Sequence, residues 1–399
     1  MPDRAGGKAG AGEVFAVFLK LGLTSFGGPI AHLGYFRDEL VTRRRWLSDA
    51  AYADLVALCQ FLPGPASSQA GFALGLMRAG WRGALAAFAA FTLPSALILL
   101  VFAMTAAAIA GPVGTGALAG LKIVAVAIVA QAVWGMARTL CPDRARAAIA
   151  LGAVVLLAFV PGAWGMVGAI ALGALAGLVL GPGAGGAVGG PVAMPVSRRA
   201  ALAALGAFVA LLVLLPLVAG FSPVLALVDS FYRAGALVFG GGHVVLPLLQ
   251  AELVGPGHVS QEAFLAGYGA AQAVPGPLFT FAAYLGAVQG QGPGGVLGAA
   301  LALAAIFLPG FLILTGVLPF WDRFRAMARA QSLMRGANAA VVGILGAALY
   351  APVFTGAIGD MRDFALALAC FLALMLWRAP PWAVVILAAS GGAGLALIG

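Results

Sequence analysis

Thirteen apolar stretches follow one another along the chain, at 14–34, 50–76, 84–110, 117–140, 146–161, 164–181, 200–220, 224–250, 262–288, 294–320, 333–353, 363–377 and 381–398. Most approach or exceed the roughly 20 residues that a helix needs to cross a hydrocarbon layer. No connection between them is long enough to hold a core of its own. That density fixes the solvent. A water-soluble domain carries about 25% charged residues, whereas this chain has 9% charged and 63% apolar residues, with a mean hydropathy of +1.06. A soluble globule built from it would be coated in hydrocarbon, which argues against a soluble enzyme, a nucleic-acid binder or a secreted scaffold. The net charge of +9 does not restore a nucleic-acid role, because the 22 Lys and Arg are spread over short loops. Cys59, Cys141 and Cys370 have neither ligand-like nor disulfide-like spacing, and no cofactor is expected. The N-terminal run MPDRAGGKAGAGEVF stays polar before hydrophobicity begins, so no cleavable signal is expected. Alternation is absent and alanine and leucine dominate, so the expected fold is an all-α polytopic membrane protein. The stretches at 146–161 and 363–377 are short for a span, and the one true linker is the Gly- and Pro-rich run at 181–199.

An internal repeat organises these stretches. Phe26-Gly27-Gly28 returns as Phe239-Gly240-Gly241, Lys20 as Arg233, and Glu39 as Glu252. Gln60-Phe61-Leu62-Pro63-Gly64-Pro65 returns as Gln272-Ala273-Val274-Pro275-Gly276-Pro277. Leu93-Pro94 returns as Leu308-Pro309, and Gly120-x-Lys122 as Gly336-x-Asn338. Order is preserved throughout and the offset drifts only between 212 and 216. The chain reads as a duplication: a first repeat over 1–180, a linker and topology-inverting helix over 181–221, and a second repeat over 222–399.

Loop charge says how the copies are oriented. The first loop of copy one holds Arg37, Arg43, Arg44 and Arg45, and its counterpart AELVGPGHVSQEA holds no Lys or Arg. The next holds Arg78 and Arg82 against QGQGPGG. The third pair reverses, GPVGTG against Arg323, Arg325, Arg329 and Arg335; the fourth reverses again, Arg138, Arg144 and Arg146 against Arg362. Positive loops stay cytoplasmic, so the copies lie in opposite senses, with the N-terminus expected in the cytoplasm and the C-terminus in the periplasm. Inverted repeats of this kind are typical of secondary transporters. Arginines at both ends of 50–76 suggest that this segment dips in and returns, turning at Pro63-Gly64-Pro65, where proline breaks the helix and glycine permits reversal. Phe26-Gly27-Gly28-Pro29 is expected to behave likewise. An ordinary kinked span is the alternative.

The run Phe26-Gly27-Gly28-Pro29-Ile30-Ala31-His32, the later Pro63-Gly64-Pro65 and their duplicates resemble the chromate ion transporter family, in its long-chain bacterial form, across essentially the whole chain. The resemblance implies export of chromate across the bacterial inner membrane, recognition of related oxyanions such as sulfate, and resistance to chromate. Copy two departs from the pattern: Gly242 stands where the proline follows the glycine pair, and Val245 stands for His32.

The residues agree with an oxyanion passenger. Broken helices expose backbone N–H groups inside the membrane, where an unpaired donor is costly, and a helix N-terminus suits a tetrahedral anion. The candidate substrate-binding residues are therefore Gly27, Gly28, Pro63, Gly64 and Pro65, their duplicates Gly240, Gly241, Pro275, Gly276 and Pro277, and the hydroxyl of Ser25, with Ser67, Ser68 and Thr280 near the breaks. Lys20 and Arg233, at matched positions in apolar runs, are candidates to neutralise a dianion jointly; snorkelling of Lys20 and pairing of Arg233 with Asp229 are the plainer alternatives. Lys122 with Asn338 and Gln60 with Gln272 are further candidate contacts. His32, Glu39 and Glu252 can carry protons, though a loop ion pair is the simpler role for the two acids. No metal cluster, nucleophile–base pair or phosphate loop is seen, so no enzyme is expected. The competing readings are an uptake carrier or channel for sulfate or another oxyanion and, further off, a membrane-embedded lipid-phosphate enzyme. Expected partners are the oxyanion, the bilayer and, as an open option, a second copy of the chain.

Overall fold

In a computed structural model, the structure describes residues 10–106, 111–181, 195–239, 242–321 and 327–398. All regular elements among them are helical. Copy one comprises α1 (Ala11–Thr24), α2 (Gly28–Phe36) continued by a π-helical turn Arg37–Arg43, α3 (Asp49–Phe61), α4 (Ala66–Ala106), α5 (Gly111–Leu140), α6 (Arg144–Phe159) and α7 (Ala163–Leu180). Helix α8 (Arg198–Val218) links the copies. Copy two comprises α9 (Pro223–Ala236), α10 (Val245–Leu253), α11 (Gln261–Ala271), α12 (Phe281–Val288), α13 (Gly295–Val317), α14 (Ala328–Ala348), α15 (Met361–Met375) and α16 (Pro381–Ile398). Seven helices among the described residues are long and apolar enough to cross a membrane. Helices α6 and α15, at the two short stretches, have only 16 and 15 residues.

The first four half-helices of copy one form two re-entrant hairpins. Glu13, at the start of α1, lies 3.8 Å from both Arg44 and Arg78, and Arg37 donates to Asp49 at 2.7 Å. Entry to α1, exit from the π-helical turn, entry to α3 and the end of the first part of α4 therefore share one end of the molecule, which is rich in arginine. Helix α4 reverses there, at Ala79 and at Gly80, whose φ of 62° suits glycine. Copy two repeats the arrangement at the opposite end. Gly290, after α12, donates its N–H to the His258 carbonyl at 3.1 Å, and a Cβ on Gly292 would touch Pro223 at the start of α9. Matched serines open the second hairpin of each copy: Ser48 accepts from the Ala51 N–H and Ser260 from the Ala263 N–H.

The two ends are separated by the long helices. The chain of α13 leaves the arginine-poor end at Gly295 and reaches Trp321, whose indole N–H donates to Asp54 of α3 at 3.2 Å. The second part of α4 runs the other way, from Gly80 at the basic end to Phe102, which stacks on Tyr284 of α12. The duplicated crossing helices are thus antiparallel, and the repeats are inverted.

Lipid offers no hydrophobic drive between helices, so close approach falls to small residues. Gly75 faces Gly83 in copy one as Gly286 faces Gly298 in copy two, with each backbone inside the reach of a Cβ on its neighbour. Gly116 meets Gly392 and Gly120 meets Ala388, so α16 runs antiparallel to α5; Gly173 and Gly177 meet Gly336. Outward faces carry bare apolar groups: Trp164, Val179 and Phe221 are each more than 80% exposed.

A Cβ on Gly120 would lie 2.0 Å from the Ala388 carbonyl oxygen, and one on Gly336 would lie 2.0 Å from that of Gly173. Gly120→Val and Gly336→Val are expected to lower the thermal midpoint in detergent, with overpacking costing about 1–3 kcal/mol or more. Gly206→Ala, in α8 with nothing near its Cβ, is expected to hold or raise it by about 0.5–1 kcal/mol of helix stability.

Candidate functional site

The four hairpin breaks meet, and the two copies complete each other there. The Gly64 N–H donates to the Val238 carbonyl at 2.8 Å, and the Gly276 N–H donates to the Ser25 carbonyl at 2.9 Å. Val238 and Ser25 are matched positions, as are Gly64 and Gly276. Each Pro-Gly-Pro turn therefore satisfies the broken first helix of the other copy. Both glycines need their freedom, with φ of 117° and 102°.

The two breaks are not equally closed. Pro63, Gly64 and Pro65 are all buried, and Gln69 seals them, its Nε2 donating to the Pro63 carbonyl at 3.0 Å and to the Gly310 carbonyl at 2.9 Å. Phe281 stands at the matched position of copy two. Pro275 and Gly276 are only half-buried, Pro277 is buried, and beside them lies a small, partly open cavity. Gly27 and Gly28 line it from copy one, and His243, Gln272 and Gly276 from copy two. Gly27 and Gly28 have φ of 96° and 80° and open α2, so their backbone is free of Cβ shielding at a helix N-terminus. Gln272 Nε2 is buried with no partner among the described residues. Among the described residues, no acidic side chain lines the cavity. Pro381, at the start of α16, also lines it. These groups can donate hydrogen bonds to an anion.

The structure brings Gly27, Gly28, Gln272 and Gly276 together among the expected residues, with Ser25 joined to them through its carbonyl. Its hydroxyl is buried and unpartnered. Gly240 and Gly241 lie outside the described residues, as do Arg323 and Arg325. Gln60 is exposed on α3, unlike its duplicate. Lys122 is half-buried and has no partner among the described residues; Asn338 is half-buried with an unpartnered Oδ1. His32 is buried, with Nδ1 3.4 Å from the Ser67 hydroxyl and Nε2 unpartnered.

Lys20 and Arg233 differ from the expectation of a joint dianion clamp. Lys20 Nζ donates to Glu39 at 3.0 Å and is half-exposed. Arg233 pairs with Asp229 and lies 3.3 Å from Glu252. Neither lines the cavity. The physical reason is proximity: a cation in an apolar segment takes the nearest carboxylate, and both copies supply one nineteen positions on. Glu39 also accepts from Arg43 and Arg44 at 3.2 and 2.7 Å, so it ties the hairpin base rather than standing as a free acid. Arg233 and Glu252 border a separate space beside Trp164.

Two participants escape motif reading: Gln69, and the pair His243–Tyr268, joined at 2.7 Å. The polar run Ser67-Ser68-Gln69 against Phe279-Thr280-Phe281 was the available signal for the first. For the second, His243 stands two positions out of register with the position matched to His32, and Tyr268, 25 residues on, has no duplicate.

The model of the chromate transporter family matches residues 12–178 and 225–395, one match on each copy. A chromate transport protein of Pseudomonas aeruginosa is 30% identical over 349 residues, covering 84% of this chain and 79% of that protein. A chromate transport protein of Cupriavidus metallidurans is 28% identical, covering 84% of this chain and 80% of that one. The uncharacterized transporter YwrA of Bacillus subtilis is 35% identical over 88 residues, 22% of this chain but 49% of that one, so it is less than half as long. No solved structure matches the chain.

Gln69→Leu removes the donor from two buried carbonyls. Leaving the Pro63 carbonyl, which lies outside the helices, without its donor costs about 1–3 kcal/mol, so a lowered thermal midpoint in detergent is expected; an unchanged midpoint would mean that the seal contributes nothing. In a double-mutant cycle on unfolding, Arg233→Ala and Glu252→Gln are expected to couple, and Lys20→Ala with Glu39→Gln to couple more weakly, because Lys20 is half-exposed.

Proposed function

The chain belongs to the chromate transporter family, and from that premise we propose that it is a secondary transporter moving chromate out of the cytoplasm across the inner membrane, with sulfate as a related passenger and chromate resistance as the result. The observation that carries this reading is the acid-free cavity at the crossed breaks, lined by the open backbone of Gly27, Gly28 and Gly276 and by the unpartnered amide of Gln272. A tetrahedral dianion needs several N–H donors and no neighbouring carboxylate, and half-helix ends supply such donors within a membrane. Positive ends face the cytoplasm, so the end that bears Arg37, Arg44 and Arg78 is read as the inner one, with Met1 inside and Gly399 in the periplasm. Outward passage is favourable for a dianion in an inside-negative cell, by about 2.3 kcal/mol per charge per 100 mV. Lys122 and Asn338 are proposed as further contacts on the path.

Inside-out vesicles containing the protein are expected to take up chromate saturably, with sulfate competing and counterflow distinguishing a carrier from a channel. Uptake confined to right-side-out vesicles would overturn the export direction. Reporter fusions at Met1 and Gly399 are expected on opposite faces.

A further inference from the structure

His243 is not part of either repeated motif, yet its ring lines the cavity at the copy-two break. Nδ1 lies 2.7 Å from the Tyr268 hydroxyl. Tyr268 is fully buried, and His243 is the hydroxyl's one hydrogen-bond partner among the described residues. A buried O–H left without an acceptor is costly, so Tyr268 donates to Nδ1. In a neutral imidazole that places the ring proton on Nε2. Nε2 is the atom nearest a Cβ built on Gly28, at 3.9 Å, so this N–H sits beside the glycine pair and the free amide of Gln272.

The first copy cannot repeat the arrangement. The position matched to His243 is Ile30, and the glutamine matched to Gln272 is the exposed Gln60. The Pro-Gly-Pro turn of copy one is closed by Gln69. Hence the two breaks share a backbone design and differ in side-chain donors.

We infer that His243, fixed by Tyr268 as a neutral imidazole with its proton on Nε2, donates directly to the tetrahedral oxyanion, and that this cavity is the one anion site of the chain. The inference rests on the transport reading above and adds to it a recognition residue, a positioning residue and a stoichiometry. A neutral donor of fixed direction suits a site that must release its passenger, since it adds a hydrogen bond without the full attraction of a second charge.

The test is chromate binding to the full chain in detergent by equilibrium dialysis, with labelled sulfate as a second probe. One anion per chain is expected. His243→Leu is expected to weaken binding about ten- to a hundredfold, as loss of a hydrogen bond to a charged group does. His243→Gln keeps an N–H and is expected to remain within about threefold of the wild type. Tyr268→Phe keeps the ring packing, so it is expected to fold even if His243→Leu does not. It is expected to weaken binding and to change the ¹⁵N signals of His243 from a single Nε2–H tautomer to a mixture, which a purely structural tyrosine would not do. Unchanged affinity in a folded His243→Leu protein, two anions per chain, or a wild-type ring protonated on Nδ1 would overturn the inference while leaving the transport reading intact. A wild-type protein that neither binds nor transports either anion would overturn both.

Discussion

Everything at the centre of this molecule depends on two backbone hydrogen bonds, from Gly64 to Val238 and from Gly276 to Ser25. A helix broken inside an apolar layer leaves N–H and C=O groups that lipid cannot satisfy. Each Pro-Gly-Pro turn frees such a donor, and each broken first helix frees an acceptor. Neither copy closes this account within itself, because the turn of one is matched to the first helix of the other. The glycine seams follow from the same need: hairpins that meet end to end at the centre must approach closely along their sides. The outer helices then wrap a core whose geometry is already set.

The duplicated motifs, the inversion and the re-entrant hairpins were legible because each is written in residues whose effect is local. Proline and glycine break helices wherever they stand, and arginines mark an end of a segment whatever it packs against. The partners of Lys20 and Arg233 were half legible. Their matched positions caught attention, but the equal spacing to Glu39 and Glu252 was the stronger sign, and it pointed to hairpin closure. Gln60 and Gln272 show where pattern stops. Identical motifs leave one side chain exposed and the other with a buried, unpartnered amide, because the surroundings of the two breaks have diverged. His243 and Tyr268 are brought together only by tertiary folding.

That divergence separates the roles of the copies. In copy one the residues after the turn are Ser67, Ser68 and Gln69, and in copy two they are Phe279, Thr280 and Phe281. Gln69 spends its amide on carbonyls of both copies and closes its break, whereas the stacked rings of Phe281 and Tyr284 fill space without capping one. The open break is the one whose lining holds a histidine. A pseudo-symmetric scaffold thus carries an asymmetric interior.

The crossed hydrogen bonds also have a mechanical meaning. Each bond ties the turn of one copy to the broken helix of the other. The glycine seams of α5 against α16 and of α7 against α14 join the copies again along their flanks. The same contact that repairs the broken helices therefore also rivets the two halves together, so that neither half is closed at its centre without the other.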